Sequence, residues 1–295
     1  MLKTVDLFSG VGGLGLGFQK AGFNVVAAYD NWARAETVHE HNLPHPFYLL
    51  DLSDEYKATE HIAQFSPDAV IGGPPCQDFS SAGKREEREN ADLTGSFARI
   101  VAALQPQLFV MENVARARGS ASYAGASAML RESGYKLTEI VLDASYCGVP
   151  QCRKRFFSIG LKDMHNGALL QSLAERRSRE PLTVAEYMGN EIDTPFYYRH
   201  PRNYSRRAIY SVNEPSATIR GVNRPIPPNY PGHPRDAAPI DQARPLTTYE
   251  RSRIQTFPKS WKWEGSKTDI EQMIGNAVPV ELGRFVGRTV LGELQ

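Results

Sequence analysis

Lys3-Thr4-Val5-Asp6-Leu7-Phe8-Ser9-Gly10-Val11-Gly12-Gly13-Leu14-Gly15 runs a short apolar segment straight into a glycine-rich turn. Lys3 to Phe8 has the length and composition of a strand. The apolar spacing beyond Ser9 is that of a helix, with Gly22 placed to cap it. The alternation continues with strands at 25–29, 47–50, 69–72, 108–111, 136–142 and 155–160. Helices are expected between them at 33–41, 55–64, 95–104 and 124–133, the last stopped by Gly134. Strands and helices alternating at this spacing predict an α/β fold with a doubly wound, mostly parallel sheet.

In such a sheet ligands bind off the carboxyl ends of the strands. Two strand ends carry chemistry. The run from Asp68 to Gly73 leads into Pro74-Pro75-Cys76-Gln77, and the run from Leu108 to Met111 leads into Glu112-Asn113-Val114. Tandem prolines fix the backbone before Cys76 and deny it helix, which would hold a sulfur in one place. Glu112 follows four apolar residues, a costly position for a carboxylate unless it is paired or used. A thiol and an acid facing one crevice suit nucleophilic attack with proton handling, although a buried cysteine and a structural carboxylate would also fit the pattern. Arg153 and Arg155, after Gln151, are expected to enter the same crevice, with a solvated basic edge as the alternative. Cys147 and Cys152 follow no comparably rigid turn and read as non-catalytic. The charged segment 78–93 beside Cys76 reads as a lid.

Length and composition frame this reading. The 295 residues suit one large domain plus a smaller one, and the formal net charge of +1 excludes a uniformly basic chain while leaving room for a local patch. Three scattered cysteines make neither a disulfide framework nor a CxxC zinc site, and no metal is expected. The N-terminus enters a strand with no leader, and no apolar run reaches the roughly 20 residues of a membrane span. A soluble, unprocessed, cytoplasmic monomer is therefore expected. Beyond residue 180 prolines recur and helical periodicity fades, returning at 246–255 and in a turn plus helix over 270–294. The expected division is 1–180 with 265–295 as a catalytic and cofactor-binding domain, and 181–264 as a smaller irregular one.

Gly10, Gly12 and Gly15 fit GxGxxG, and Asp30 ends the second strand where an acid would meet a ribose hydroxyl. NAD and S-adenosylmethionine both present that ribose, so the motif alone does not choose between them. From Phe196 to Arg235 the basic residues are Arg199, Arg202, Arg206, Arg207, Arg220, Arg224 and Arg235, opposed only by Glu214 and interleaved with tyrosines. Arginine neutralises phosphates and reads guanine edges, so nucleic acid is the expected partner.

Taken together, these segments resemble the DNA (cytosine-5) methyltransferase family from the first strand to the last helix. The resemblance implies S-adenosyl-L-methionine bound by Phe8, Gly10, Gly12, Gly13, Asp30, Asn31, Asp51, Leu52, Pro74, Asn276 and Val278. It implies that Cys76 is the nucleophile, Glu112 the proton-handling acid, and Arg153 and Arg155 the arginine pair near the target base. Gln77, Ser80 and Lys84 would touch DNA beside the base, and Arg199, Arg202, Arg206, Arg207, Arg220 and Arg224 would contact it from the recognition domain. Arg244-Pro245-Leu246-Thr247, with Glu250, Arg251 and Arg253, resembles the segment that organises that domain. The implied reaction adds Cys76 to C6 of a flipped-out cytosine in double-stranded DNA and methylates C5. The implied setting is a bacterial restriction-modification system whose endonuclease, if present, acts separately. Methylation of cytosine in transfer RNA and an NAD-dependent oxidoreductase are the competing readings.

Overall fold

The structure is a computed structural model that describes residues 1–75, 92–201, 203 and 205–294. In chain order its first elements are β1 (Lys3–Leu7), α1 (Gly13–Ala21), β2 (Asn24–Asp30), α2 (Ala33–Asn42), β3 (Phe47–Leu49), α3 (Glu55–Ala63) and β4 (Ala69–Gly72). There follow α4 (Leu93–Leu104), β5 (Leu108–Val114), α5 (Ala121–Glu132), β6 (Lys136–Asp143), β7 (Gln151–Cys152), β8 (Lys154–Leu161) and α6 (Leu170–Glu175). The remainder holds α7 (Val184–Met188), β9 (Phe196–Tyr198), β10 (Ile209–Ser211), β11 (Ser216–Ala217), β12 (Arg244–Pro245), α8 (Thr248–Ile254), α9 (Lys267–Asn276) and α10 (Val280–Glu293).

Two compact units emerge. The first comprises 1–142, 154–177 and 283–295; the second comprises 143–153 and 178–282. Segments 143–153 and 265–282 thus group with the second unit, whereas the sequence alone assigns them to the catalytic part.

The first unit is built on a seven-stranded sheet ordered β3-β2-β1-β4-β5-β8-β6. β1 runs parallel to β2 and β4, β2 to β3, and β4 to β5, while β8 is antiparallel to β5. The doubly wound expectation is met. Buried Val5, Leu7, Ala27, Tyr29, Val70, Phe109 and Met111 join Phe97, Ile100 and Val101 of α4 in one core. Register is enforced by shape as well as apolarity. Gly160 pairs with Phe109 across β5 and β8, and a Cβ there would lie 1.9 Å from the phenyl ring.

β5 does not stop at Met111. It continues to Val114 because β8 supplies partners as far as the Val114–Arg155 pair, which carries Glu112 inside the sheet. The stretch 270–294 also differs from expectation. It forms two helices, since Pro279 has no N–H to continue α9 and α10 starts afresh at Val280.

In the second unit the proline-rich stretch folds as short strands. β10 pairs antiparallel and β12 parallel with β9, over a core that includes Tyr197, Ile219, Leu246, Ile254 and Ile274. Among the described residues no helix is long and apolar enough to cross a membrane.

Candidate active site

The glycine turn sits above the carboxyl end of β1. Phe8 (φ 54°), Gly10 (φ 52°) and Gly12 (φ 85°) all lie in the left-handed region, which is unusual for a bulky aromatic and marks the loop as held by its surroundings. Part of that hold comes from Asp30. One oxygen takes the Gly10 N–H at 2.7 Å and the other the Trp32 N–H at 2.9 Å, so this acid shapes the loop directly. Burial pushes the Asp30 carboxyl up, and the N–H groups of Gly10, Trp32 and Asn31 oppose it. Gly15 permits close helix-to-strand approach. Its N–H donates to Asp6 at 3.0 Å, and a Cβ would stand 2.7 Å from the same oxygen. Asp6, a buried carboxylate without an assigned role in the sequence reading, is pushed well above the usual range by burial.

The turn has features a bound ligand would use. A Cβ on Gly10 would meet nothing within 4 Å, so open space faces the backbone there. Ser9 Oγ is buried and has no hydrogen-bond partner among the described residues. Asn31 and Asp51 are exposed at the ends of β2 and β3, and Asp51 accepts from the N–H and hydroxyl of Ser53 at 2.9 and 2.7 Å. The Leu52 side chain, by contrast, is buried in the core.

At the end of β4 the Pro74-Pro75 turn is anchored from β5. Asn113 Nδ2 donates to the Pro74 carbonyl at 3.0 Å. Glu112 lies against the same turn, with its Oε2 3.2 Å from where a Cβ on Gly73 would be. The sequence named Asn113 only as Glu112's neighbour, and its tethering role emerges from the fold. Arg155 on β8 is diagonal to Glu112 across the antiparallel pair and places Nε 2.8 Å from Oε1, as a close ion pair with both side chains largely buried. Burial lowers the Arg155 guanidinium from its ordinary value and the Glu112 charge opposes that fall. Cys76, Gln77, Ser80 and Lys84 lie outside the described residues, as does Arg202.

Arg153 belongs to the second unit. It is 2% exposed, and its guanidinium donates to the carbonyls of Ile219 (2.9 Å), Gly275 (3.0 Å) and Ala277 (3.1 Å). Gln151 joins the same buried knot, taking the Ile219 N–H at 2.8 Å and donating to Gln255 at 2.7 Å. Gly275 is required at this crossing, because a Cβ there would lie 2.1 Å from the Gly221 nitrogen. Asn276 is exposed at the end of α9, and Val278 is 9% exposed.

Several arginines of the second unit are committed to its own fold. Arg199 donates twice to the Thr218 carbonyl, at 3.1 and 2.8 Å, and Arg220 donates to the His200 carbonyl. Arg207 pairs with Glu214. Thr247 and Glu250 form a capping box on α8, Arg244 pairs with Glu250, Arg251 with Glu271, and Arg253 with Glu191. Arg206, Arg224 and Arg235 are exposed.

The chain is 54% identical over 290 residues to the Type II methyltransferase M.HgiDI of Herpetosiphon aurantiacus, covering 98% of this chain and 94% of that one. It is 53% identical over 293 residues to the Type II methyltransferase M.HindV of Haemophilus influenzae, covering 98% and 96%. Among solved structures, the S. pombe Dnmt2 methyltransferase superposes with a TM-score of 0.72 at 16% identity, covering all of both chains, which shows the shared fold. A family model described as C-5 cytosine-specific DNA methylase matches residues 2–292. With that match and those relatives, the chain belongs to the C-5 cytosine-specific DNA methylase family.

Proposed function

We propose that this protein uses S-adenosyl-L-methionine to methylate C5 of a flipped-out cytosine within a specific sequence of double-stranded DNA. The setting is the cytoplasm and a type II restriction-modification system, any endonuclease being a separate chain. The observation that carries the residue assignment is the position of Glu112: its carboxylate, paired with Arg155, lies against Gly73, three residues before Cys76. An acid fixed beside the base of the nucleophile's turn is what attack on a pyrimidine ring requires.

The cofactor fits the first glycine turn. Gly10 leaves the backbone approachable, Ser9 Oγ offers an unspent polar atom, and Phe8, Gly12, Gly13, Asp30, Asn31 and Asp51 surround the end of the sheet. Bound there, S-adenosyl-L-methionine supplies a methyl group made electrophilic by its sulfonium. Cys76, as a thiolate, forms a bond to C6 of the cytosine and leaves C5 nucleophilic. Glu112 donates a hydrogen bond or proton to N3, which takes up the displaced electron pair. Arg155 keeps Glu112 oriented and can stabilise charge developing at O2. Once the new methyl is in place and the C5 proton has left, the ring electrons return and expel the Cys76 thiolate. Arg153, spent on backbone carbonyls, acts as a positioning residue for 219, 275 and 277. Residues 181–264 are proposed as the target-recognition segment. The family match favours DNA over transfer RNA and leaves the oxidoreductase reading without support.

The test is expression in a methylation-free host, followed by base-resolution mapping of 5-methylcytosine. One recurring methylated motif, lost on Cys76→Ser with cofactor binding retained, is the expected result. A genome without any recurring methylated motif would overturn the reading.

A further inference from the structure

Within the second unit, a shallow depression is lined by Arg206, Arg207, Tyr210 and Arg235. Its floor is rigid. Tyr210 stacks on the buried Tyr197 ring at 5.9 Å, and the Arg207 guanidinium lies over Tyr210 at 4.2 Å. Arg207 is fully engaged by Glu214, at 2.9 Å through one nitrogen, and Glu214 also takes the Ser211 N–H at 3.0 Å. The rim differs. Arg206 and Arg235 are exposed and have no hydrogen-bond or ion-pair partner for their guanidinium groups among the described residues.

These two arginines are 29 positions apart, and a single carboxylate brings their loops together. Asp236 Oδ1 takes the N–H groups of Ala208 (2.8 Å) and Ile209 (2.9 Å), at the start of β10 just after Arg206. Asp236 Oδ2 takes the Tyr230 hydroxyl (2.7 Å) and the His233 N–H (2.9 Å), which closes the turn that carries Arg235. The Ala237 N–H adds a bond to the Ile209 carbonyl at 3.1 Å. These four contacts occupy both Asp236 oxygens, and Asp236 is not part of the lining formed by Arg206, Arg207, Tyr210 and Arg235.

We propose that Arg206 and Arg235 form a clamp for one backbone phosphate of DNA, preorganised by Asp236 and floored by Tyr210 and the Arg207–Glu214 pair. The inference rests on the reading that the protein acts on duplex DNA. A phosphate is the assigned occupant because the two uncommitted groups on the rim are exposed guanidinium cations, and comparing duplexes with and without the motif separates it from a guanine edge, which guanidinium groups also bind. Two cations lining one depression match an oxygen cluster bearing a full charge. Arg235 enters the interface on this ground, and Arg207 leaves it as a buttress.

The test uses the full-length protein, wild type and with Arg206→Gln, Arg235→Gln and both changes. Affinity is measured over a salt series on duplex fragments that contain the genomically mapped methylation motif and on fragments that lack it. Each single change should weaken both duplexes alike, by roughly three- to tenfold, and the double variant should lower the slope of log K against log salt by about 1. A loss confined to the motif-bearing duplex would make these residues base readers and overturn the clamp, as would unchanged affinity and slope. An equal loss on single-stranded RNA with none on duplex DNA would also overturn it. Wild-type protein that binds neither duplex would instead sink the underlying DNA reading, and the two failures are thus told apart.

Discussion

Asn113 ties the strand of the proposed acid to the turn of the proposed nucleophile: its amide donates to the Pro74 carbonyl at 3.0 Å while its oxygen accepts the Val114 N–H at 2.8 Å. Both ends of the side chain are therefore used, and the Pro74-Pro75 turn is locked at a fixed distance from Glu112. Asn113→Ala leaves the Pro74 carbonyl without that partner. The expected cost is about 1–3 kcal/mol of stability and a methylation rate lower by roughly tenfold or more from misplacement alone. Single-turnover methylation beside cofactor titration checks this. The rate should fall while cofactor affinity holds, and a rate equal to wild type would show that the tether has no part in catalysis.

Arg153 and Arg155 should separate cleanly. Arg153→Met strands three buried carbonyl acceptors, those of Ile219, Gly275 and Ala277, and should destabilise the protein by about 3 kcal/mol or more. Arg155→Met removes the cation paired with Glu112, and its main effect should be on turnover. Denaturant melts and methylation kinetics on both variants give the readout. Equal melting points for Arg153→Met and wild type would contradict the positioning role.

The sheet was readable in advance because its strands alternate with helices and end in punctuation such as Gly22 and Gly134. The linear pattern carries that much. What it does not carry is direction of side chains around a break in a strand. Arg153 and Arg155 look equivalent by the period of two, yet β7 ends at Cys152 and β8 begins at Lys154, so Arg153 falls between strands and, as part of the second unit, spends its guanidinium on that unit's own carbonyls. The arginine-rich region was legible as basic but not as a division of labour. Arg199, Arg207 and Arg220 are consumed by partners 19, 7 and 20 positions away, and no local signal announces such pairings.

Asp6 offers a test of the price of the cofactor loop. Burial raises its carboxyl well above the ordinary value, so the ionised form is disfavoured in the folded protein. The sign follows: stability from this group is fully present below the unfolded value near 3.8 and is lost as pH rises through the folded value. Asn at this position keeps an oxygen for the Gly15 N–H and carries no charge. Asp6→Asn should therefore melt a few degrees higher than wild type near pH 8, with the advantage shrinking in acid. A variant that melts lower at pH 8 would show that the charge is compensated in the fold.

The buried histidines beneath the loop set the acid limit. His39 and His45 meet edge to face at 4.9 Å; His45 Nδ1 lies 3.1 Å from Gln19 Nε2, and neither ring nitrogen of His39 has a hydrogen-bond partner among the described residues. Burial lowers His39 to about 3, with His45 contributing, and lowers His45 to about 4. Both are neutral when folded and charge in the unfolded chain near pH 6.5, so their contribution is intact above that pH and is lost as pH falls toward 4. Each can cost up to about 1.4 kcal/mol per pH unit in that window. Leu43 and His39 also lie within 2.3 and 3.2 Å of where a Cβ on Gly12 would be, so their displacement should loosen the turn proposed to hold the cofactor. Denaturant unfolding from pH 7 to 5 should show stability falling, while cofactor affinity of the folded protein holds until nearer pH 4, where the folded rings begin to charge. His39→Leu should flatten the stability curve, and an acid slope identical to wild type in that variant would remove His39 from the account.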